Sequence, residues 1–574
     1  MKSVFFLLLS TTFALSAPQH STLDPLIVDS GRGPDAKIAF WLQSSLKRVY
    51  PKSPAGSAAT YKLLAARNST VSFQACLQNA ETHFLAAKCR AIGPDDVQIQ
   101  VRKVGYVPLW KVTGETPVSD LEGLDYSPGL VPDPLYPEPQ EWIGPFENQS
   151  FWITVKIPAD AKPGVKPLKV SFDFGKSYAQ ATQSVTLIAE IEVSPFTIKP
   201  RRDFPVTHWW RAQCIWDWYK TEPFDEQWWK ITRNYIQDLV DHGNDCIYVS
   251  MVPISEFPSK RPPQYVIVTE SQPGVYRFDF SRVKRFLDMA KSCGARYFEW
   301  GHLWSCMGAD HPVMIYKTEN GQLAPLWPTE TGPTSDVYKN FLKQFLPQFH
   351  DFLAKEGVFD VSYFHVSDEP NGRAQLQHYK QAREILREYA PWMKVMDALA
   401  DPEYARQGLC DMPIPQPQDA TPFIKEGIPH WIYYCLAPLG PWMNRFLDTP
   451  LPKLRAEGMV FYKQGAQGFL HWGYNMWYFM GSEKLLDPFT DSTGGHQVSA
   501  GDPFVVYPGK EGPIDSIRWE IFAEALQDYA ILQSAGVRPD SPVLSEIKGY
   551  ADFPKNEQWI NETVRKVLNR AESQ

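Results

Sequence analysis

A chain of 574 residues is too long for one ordinary hydrophobic core, so two domains are expected, one of which can be a barrel of about 250 residues or more. With 44% hydrophobic and 21% charged residues it is a globular chain and not a disordered one. A net charge of -8 with no dense Lys/Arg run argues against nucleic acid or an anionic membrane as the main partner, and a neutral or cationic ligand fits more easily.

The opening residues, "MKSVFFLLLSTTFALSAPQH", combine one Lys, an apolar stretch and small residues at Ala14, Ser16 and Ala17. That is the pattern of a signal peptide over 1–17, so the mature chain is expected to be exported, secreted or periplasmic. No later segment reaches the roughly 18 consecutive apolar residues of a membrane-spanning helix. From residue 18 to 200 the chain runs in short alternating stretches, "TVSFQACLQ", "DVQIQVRKV", "SFWITVKIPADAKPG", "LKVSFDF" and "QSVTLIAEIEV", separated by Pro and Gly. Period-two runs with turn signals between them predict an antiparallel β-sandwich. The intervening "DYSPGLVPDPLYPEPQEWIGP" carries too much Pro for a core strand and reads as a long ordered loop. None of the eight cysteines has CxxC or metal-ligand spacing; Cys76 and Cys89 could pair in an oxidising compartment, free buried thiols being the alternative.

Over 201–540 the pattern changes to short β-rich runs alternating with longer helical ones. Predicted strands are "FPVTHWW", "DCIYVSM", "ARYFEWGH", "DVSYFHV", "MKVMDAL", "PHWIYYC", "QGFLHW" and "PFVVYPG". Between them lie stretches of helical period such as "DEQWWKITRNYIQDLVDHG", "SRVKRFLDMAKSCG", "DVYKNFLKQFLPQFHDFLAKEG" and "AQLQHYKQAREILREYA". Eight strand–helix units in about 330 residues match a (β/α)8 TIM-like barrel, and no GxGxxG follows any strand to support a Rossmann-like sheet. Residues 541–574 form a helical tail.

In such a barrel functional residues sit at the C-terminal strand ends. After the first strand come Trp209, Trp210 and Arg211; after the third Trp300, His302 and Trp304; in and after the fourth His365, Asp368 and Glu369. The sixth is followed by Tyr433 and Tyr434, and the seventh by Trp472, Tyr474, Asn475 and Trp477. One mouth thus gathers aromatic rings around a carboxylate pair. The chain has 20 Trp, and rings packed on apolar sugar faces would make the ligand a carbohydrate, although Trp is also a large core filler.

Three readings of Asp368-Glu369 compete. Asp368 could cap the helix expected near Ala374; His365, Asp368 and Glu369 could hold a metal, without a second His cluster in support; or the pair could act on a glycosidic bond. Ordinary glycosidases need carboxyl groups about 5 to 10 Å apart on opposite sides of the anomeric carbon, which neighbours on one strand seldom achieve. Substrate-assisted hydrolysis instead uses the sugar's own 2-acetamido oxygen, leaving the protein to supply one acid and one carboxylate. Strand alternation points Glu369 inward with Tyr363, His365 and Ser367, so Asp368 reaches the site only if the strand has already bent.

"VRKVGYVPL", "PGLVPDPLYP" and "FWITVKIPADAKPG" in the first region, with "FEWGHLW", "FHVSDEP", "GFLHWGYN" and "DSIRWEIFAEALQDY" in the second, make the chain resemble glycoside hydrolase family 123, the exo-β-N-acetylgalactosaminidases and their wider group. The resemblance implies a sandwich followed by a barrel, no metal or cofactor, Asp368 polarising the substrate acetamido group, and Glu369 as general acid/base. The expected protein is an exported exo-acting hydrolase of terminal β-linked 2-acetamido sugars. Its substrate contacts are drawn from Trp210, Arg211, Trp300, His302, Trp304, His365, Tyr433, Tyr434, Trp472, Tyr474 and Asn475. The alternatives are a non-catalytic carbohydrate-binding protein, or a glycosidase for a sugar without the acetamido group that would use Glu299 or Asp397 as nucleophile.

Overall fold

The computed structural model describes residues 26–27, 37–251, 261–305, 307–319 and 322–572. The expected signal peptide, 1–17, lies outside these, as does Cys306. The chain combines an N-terminal β-rich region with a larger α/β region.

Two sheets make up the β-rich region. One orders Ile38–Ser44, Ser69–Asn79, Glu147–Ile157, Gln98–Leu109 and Gly129–Tyr136; the other runs Ala181–Thr197, Gly164–Gly175, Leu85–Ile92 and Gln140–Ile143, the last at its edge. Alternation along Gly164–Gly175 buries Leu168, Val170, Phe172 and Phe174, and along Ser69–Asn79 it buries Phe73, Ala75 and Leu77 in the same cluster. Rings cross between the sheets: Phe172 meets Phe40 at 5.2 Å and Phe151 at 5.9 Å.

Two expectations fail here. The Pro-rich segment is not a loop: it supplies the strands Gly129–Tyr136 and Gln140–Ile143, one at the edge of each sheet. An edge strand has one row of groups that need not bond within the sheet, so Pro132 and Pro134 cost little there. The outer row is covered from the α/β region, where Leu135 N donates to Asp515 O at 2.8 Å. The Cys76–Cys89 pair also does not form, and all seven described cysteines are free. Cys89 belongs to the core between the sheets, whereas Cys76, one residue out of phase with Ala75 and Leu77, packs on the other face with Trp41 and Val49.

The α/β region carries short parallel strands separated by helices. Val206–His208, Phe469–His471 and Ile432–Tyr433 form one ladder; Cys246–Val249, Tyr297–Trp300 and Ser362–Phe364 form a second; Met396–Ala398 and Met412–Ile414 form a third. A parallel bridge from Phe364 to Val395, and bonds from Trp431 N to Pro413 O (3.1 Å) and Tyr433 N to Pro415 O (3.3 Å), join neighbouring ladders. The four predicted helices appear as Glu226–Asp241, Ser281–Cys293, Asp336–Lys355 and Gly372–Tyr389. Asp225 caps the first through Trp228 N at 2.6 Å, and Gly294 ends the second with a positive φ of 107°. The last predicted strand is wrong: in "PFVVYPG" Phe504 forms a single antiparallel bridge with Asn475, and Tyr507–Pro508 pairs antiparallel with Pro513–Ile514. Met412–Ile414 takes the missing parallel place in a segment, "CDMPIPQPQ", whose prolines mask it.

The two regions are joined by buried charge. Arg518, in the helix Ile517–Ser534, lies 2.9 Å from Asp133 of the edge strand Gly129–Tyr136, both side chains being fully buried. Tyr507 also donates to Asp133 at 2.7 Å, and Arg518 donates to the carbonyls of Arg445, Gly501 and Phe504. Such a pair adds little over an apolar substitute, but losing one partner strands the other without water.

Candidate active site

The strand Ser362–Phe364 stops three residues before Ser367, and the chain then turns. Glu369 adopts a left-handed φ of 44°, with its N–H bonded to Ala398 O at 3.0 Å. A non-glycine residue in that region is strained unless its surroundings hold it, and here the hold comes from the end of a neighbouring strand. The turn breaks strict alternation, so Asp368 and Glu369 are both partly exposed at the same mouth. The following helix begins at Gly372 with Asn371 at its cap, so Asp368 is not a helix cap.

The loop beside the pair is fixed by Ser367. Its Oγ donates to Ser305 O at 2.6 Å and accepts from Gly308 N and Ala309 N, while Met307 N donates to Asp368 O at 2.7 Å. Burial pushes the Asp368 carboxyl up to about 7, reinforced by the charge of Glu369 and opposed by His365 and Arg211. Among the described residues no hydrogen bond is given to the Asp368 carboxylate, whereas Glu369 Oε1 accepts from the Tyr433 hydroxyl.

Beneath the pair lies a buried polar chain. His365 Nδ1 is 3.0 Å from Asp397 Oδ1, and its Nε2 is 2.7 Å from Glu299 Oε1. Glu299 also accepts from Trp209 Nε1 and Thr207 Oγ1, both at 2.6 Å, and Asp397 accepts from the Tyr379 hydroxyl and Val366 N. Burial alone would lower the His365 imidazole, but the hydrogen bonds and charges of Asp397 and Glu299 push it up to about 10. Glu299 and Asp397 are thus fully buried and fully engaged. Neither is placed to attack a sugar.

His302 stacks on His365 with ring centroids 4.5 Å apart and meets Trp209 edge-on. Burial, then the positive charges of His365 and Arg211, hold it well below the usual imidazole range, and neither ring nitrogen has a hydrogen bond among the described residues. His302, His365 and Asp397 come close enough together to enclose a cation. The chemistry does not fit one, because both nitrogens of His365 are already engaged by the carboxylates of Asp397 and Glu299.

Arg211 sits at the start of the helix Ala212–Tyr219, with its backbone clamped by Asn475, which accepts from Arg211 N at 2.7 Å and donates to Arg211 O at 3.2 Å. Asn475 therefore positions Arg211 and is itself buried. Trp472 keeps a partly exposed ring and donates from Nε1 to Asp502 Oδ2 at 3.2 Å. Asp502 is fully buried, with His471 Nε2 3.5 Å from its Oδ1, and burial raises its carboxyl to about 7.

The structure brings Arg211, His302, His365, Asp368, Glu369 and Tyr433 together, leaves Trp472 on Asp502, and turns the remaining expected contacts elsewhere. Trp210 faces the helix layer, stacking on Phe286 and donating to Tyr248 O. Trp300 meets Phe349 and donates to Ser362 Oγ, and Trp304 meets Tyr338 and donates to Pro333 O. Tyr434 donates to Glu457 at 2.8 Å on the helix Leu451–Gln464, and Tyr474 donates to Asp238 on the helix Glu226–Asp241. Trp477 is core, its Nε1 on Val506 O. The expectation passed over Gln416, which donates to the Tyr433 hydroxyl at 3.0 Å, and Asp502. Gln416 follows the unrecognised strand Met412–Ile414, so no signal pointed to it.

A family model described as the glycoside hydrolase 123 catalytic domain matches residues 209–535. Among solved structures, a family 123 glycoside hydrolase from Clostridium perfringens, studied for glycolipid glycan hydrolysis, is similar over 93% of this chain and 97% of that one, with a TM-score of 0.70 and 15% sequence identity. That likeness bears on the fold alone. A GH2 beta-galacturonidase from Eisenbergiella tayi covers 86% of this chain and 73% of its own, but with a TM-score of 0.30 and 9% identity it carries no argument. A comparison with curated proteins finds no match.

Proposed function

Because this chain belongs to glycoside hydrolase family 123, by a match spanning more than half its length, we propose that it releases terminal β-linked 2-acetamido sugars, N-acetylgalactosamine first among them, by substrate-assisted retaining catalysis. The carrying observation is the arrangement of carboxyl groups. Asp368 and Glu369 stand side by side at the mouth, while Glu299 and Asp397 are locked into the His365 chain and Asp502 is buried behind Trp472. With Glu299, Asp397 and Asp502 buried and engaged, none of the three is placed to attack the anomeric carbon, and the acetamido oxygen is the fitting nucleophile. Asp368 takes the acetamido N–H and stabilises the positive charge growing on the oxazolinium. Glu369 protonates the leaving oxygen, then takes a proton from water. The Clostridium perfringens enzyme acts on glycolipid glycans, and the same substrate class is proposed here. The further proposals are export, a β-sandwich at 18–200, and closure of the parallel strands into a (β/α)8 barrel over 201–540 followed by a helical tail. Facing ring contacts between the two sheets support the sandwich, and the hydrogen bonds between neighbouring ladders support the barrel.

The test is intact-protein mass after incubation with an activated 2-fluoro glycoside. No stable adduct is expected, whereas a thiazoline mimic of the oxazoline is expected to inhibit, since it copies a state the site is built to bind. A lasting mass increase mapped to an acid at the mouth would overturn the mechanism.

A pH dependence follows from the shared environment of the two acids. The active form carries one proton on the pair, and burial together with mutual repulsion keeps that proton until about pH 7, on Asp368 in the free protein. Binding of the acetamido N–H favours ionised Asp368 and so hands the proton to Glu369. The sign is therefore a fall in kcat/KM as pH rises through about 7, measured on an aryl 2-acetamido β-glycoside. A flat profile from pH 6 to 8 would count against it.

A further inference from the structure

Tyr433 is met by Gln416, and Gln416 in turn by Gln418. Gln418 Nε2 donates to Gln416 Oε1 at 2.5 Å, which uses the carbonyl end of the Gln416 amide. The other end, Gln416 Nε2, points to the Tyr433 hydroxyl at 3.0 Å and to Cys435 Sγ at 3.8 Å. In this orientation all three functions of the Gln416 amide are engaged. A phenol has one proton, so a Tyr433 oxygen that accepts from Gln416 turns that proton toward Glu369 Oε1.

We propose that Gln416, oriented by Gln418, is a positioning residue that sets the direction of the Tyr433 hydroxyl and through it the geometry of the acid Glu369. With Oε1 held as an acceptor, the transferable proton resides on Oε2, the oxygen left free for the departing group. Once that proton has gone, the same donor stabilises the carboxylate left behind. Without Gln416 the phenol can turn and accept instead, the two carboxyl oxygens become alike, and the acid releases its proton less readily. The proposal rests on the reading of Glu369 as general acid, but its direct test needs no turnover.

That test is a carboxyl 13C titration of full-length protein labelled at Glu, the Glu369 signal being the one lost in Glu369→Gln. In Gln416→Met, which keeps length but cannot donate, the signal is expected to titrate at least about 0.5 pH unit higher than in the wild type, a roughly threefold change in proton affinity. Gln416→Glu, isosteric and an acceptor when ionised, draws the Tyr433 proton away and is expected to shift it further. In a Tyr433→Phe background the effect of Gln416→Met is expected to vanish, because the two act through one bond. An unmoved titration in both Gln416 variants, or a shift that persists without the Tyr433 hydroxyl, would overturn the relay. A shifted titration in a protein that hydrolyses no 2-acetamido glycoside would leave the relay standing and refute the functional reading.

Discussion

Glu369→Gln is expected to lower kcat on a glycan with a poor leaving group by about 100-fold or more. Glutamine keeps the size of the side chain and can still meet the Tyr433 hydroxyl, so the packing of the mouth is preserved. It has no proton to give to the glycosidic oxygen and none to recover from water. An aryl substrate whose leaving group departs without help should escape most of the loss in the first step, so the wild-type to variant ratio is expected to shrink as leaving-group acidity rises. Steady-state kinetics on a series of aryl 2-acetamido β-glycosides reads this directly. Wild-type turnover of the natural glycan by the variant would remove Glu369 from the mechanism.

Asp368→Asn is expected to cost about 100- to 1,000-fold, with a different dependence on substrate. Its carboxylate opposes charge on the oxazolinium, which forms whatever the leaving group is, so good and poor leaving groups should suffer alike. The amide retains the shape and exchanges an anion for a dipole whose N–H end repels the acetamido N–H. Reversed leaving-group dependence between the two variants would exchange the roles of the acids.

The acid pair was legible because its signal is local: an apolar run, two acids and a Pro-Asn-Gly turn. The aromatic contacts were half legible, for a geometric reason. At a strand end one residue of each neighbouring pair faces inward and the next faces the helices. Thr207 and Trp209 reach Glu299 while Trp210 stacks on Phe286; Glu299 meets His365 while Trp300 meets Phe349; Tyr433 meets Glu369 while Tyr434 meets Glu457. Choosing both members of a pair is therefore wrong for one of them. Asp368 and Glu369 escape this rule through the left-handed backbone at Glu369, which no residue type there announces. The strand Met412–Ile414 stayed hidden for the converse reason: flanking prolines read as a loop, and the hydrogen bonds that make it a strand come from distant residues. With it went Gln416.

The ion pair of Asp133 and Arg518 bears on how the protein can be cut. A gene fragment trimmed to the matched catalytic segment, 209–535, keeps the guanidinium and discards its counter-ion. It also discards the strand Val206–His208 that pairs with Phe469–His471, and uncovers Tyr507. In the intact protein, where Arg518 stays buried, removing Asp133 alone would cost about 3–5 kcal/mol, a large part of the stability of an ordinary domain. The stretch that carries the chemistry therefore shares buried polar partners with the β-rich region, and a fragment without that region leaves Arg518 and Tyr507 without Asp133.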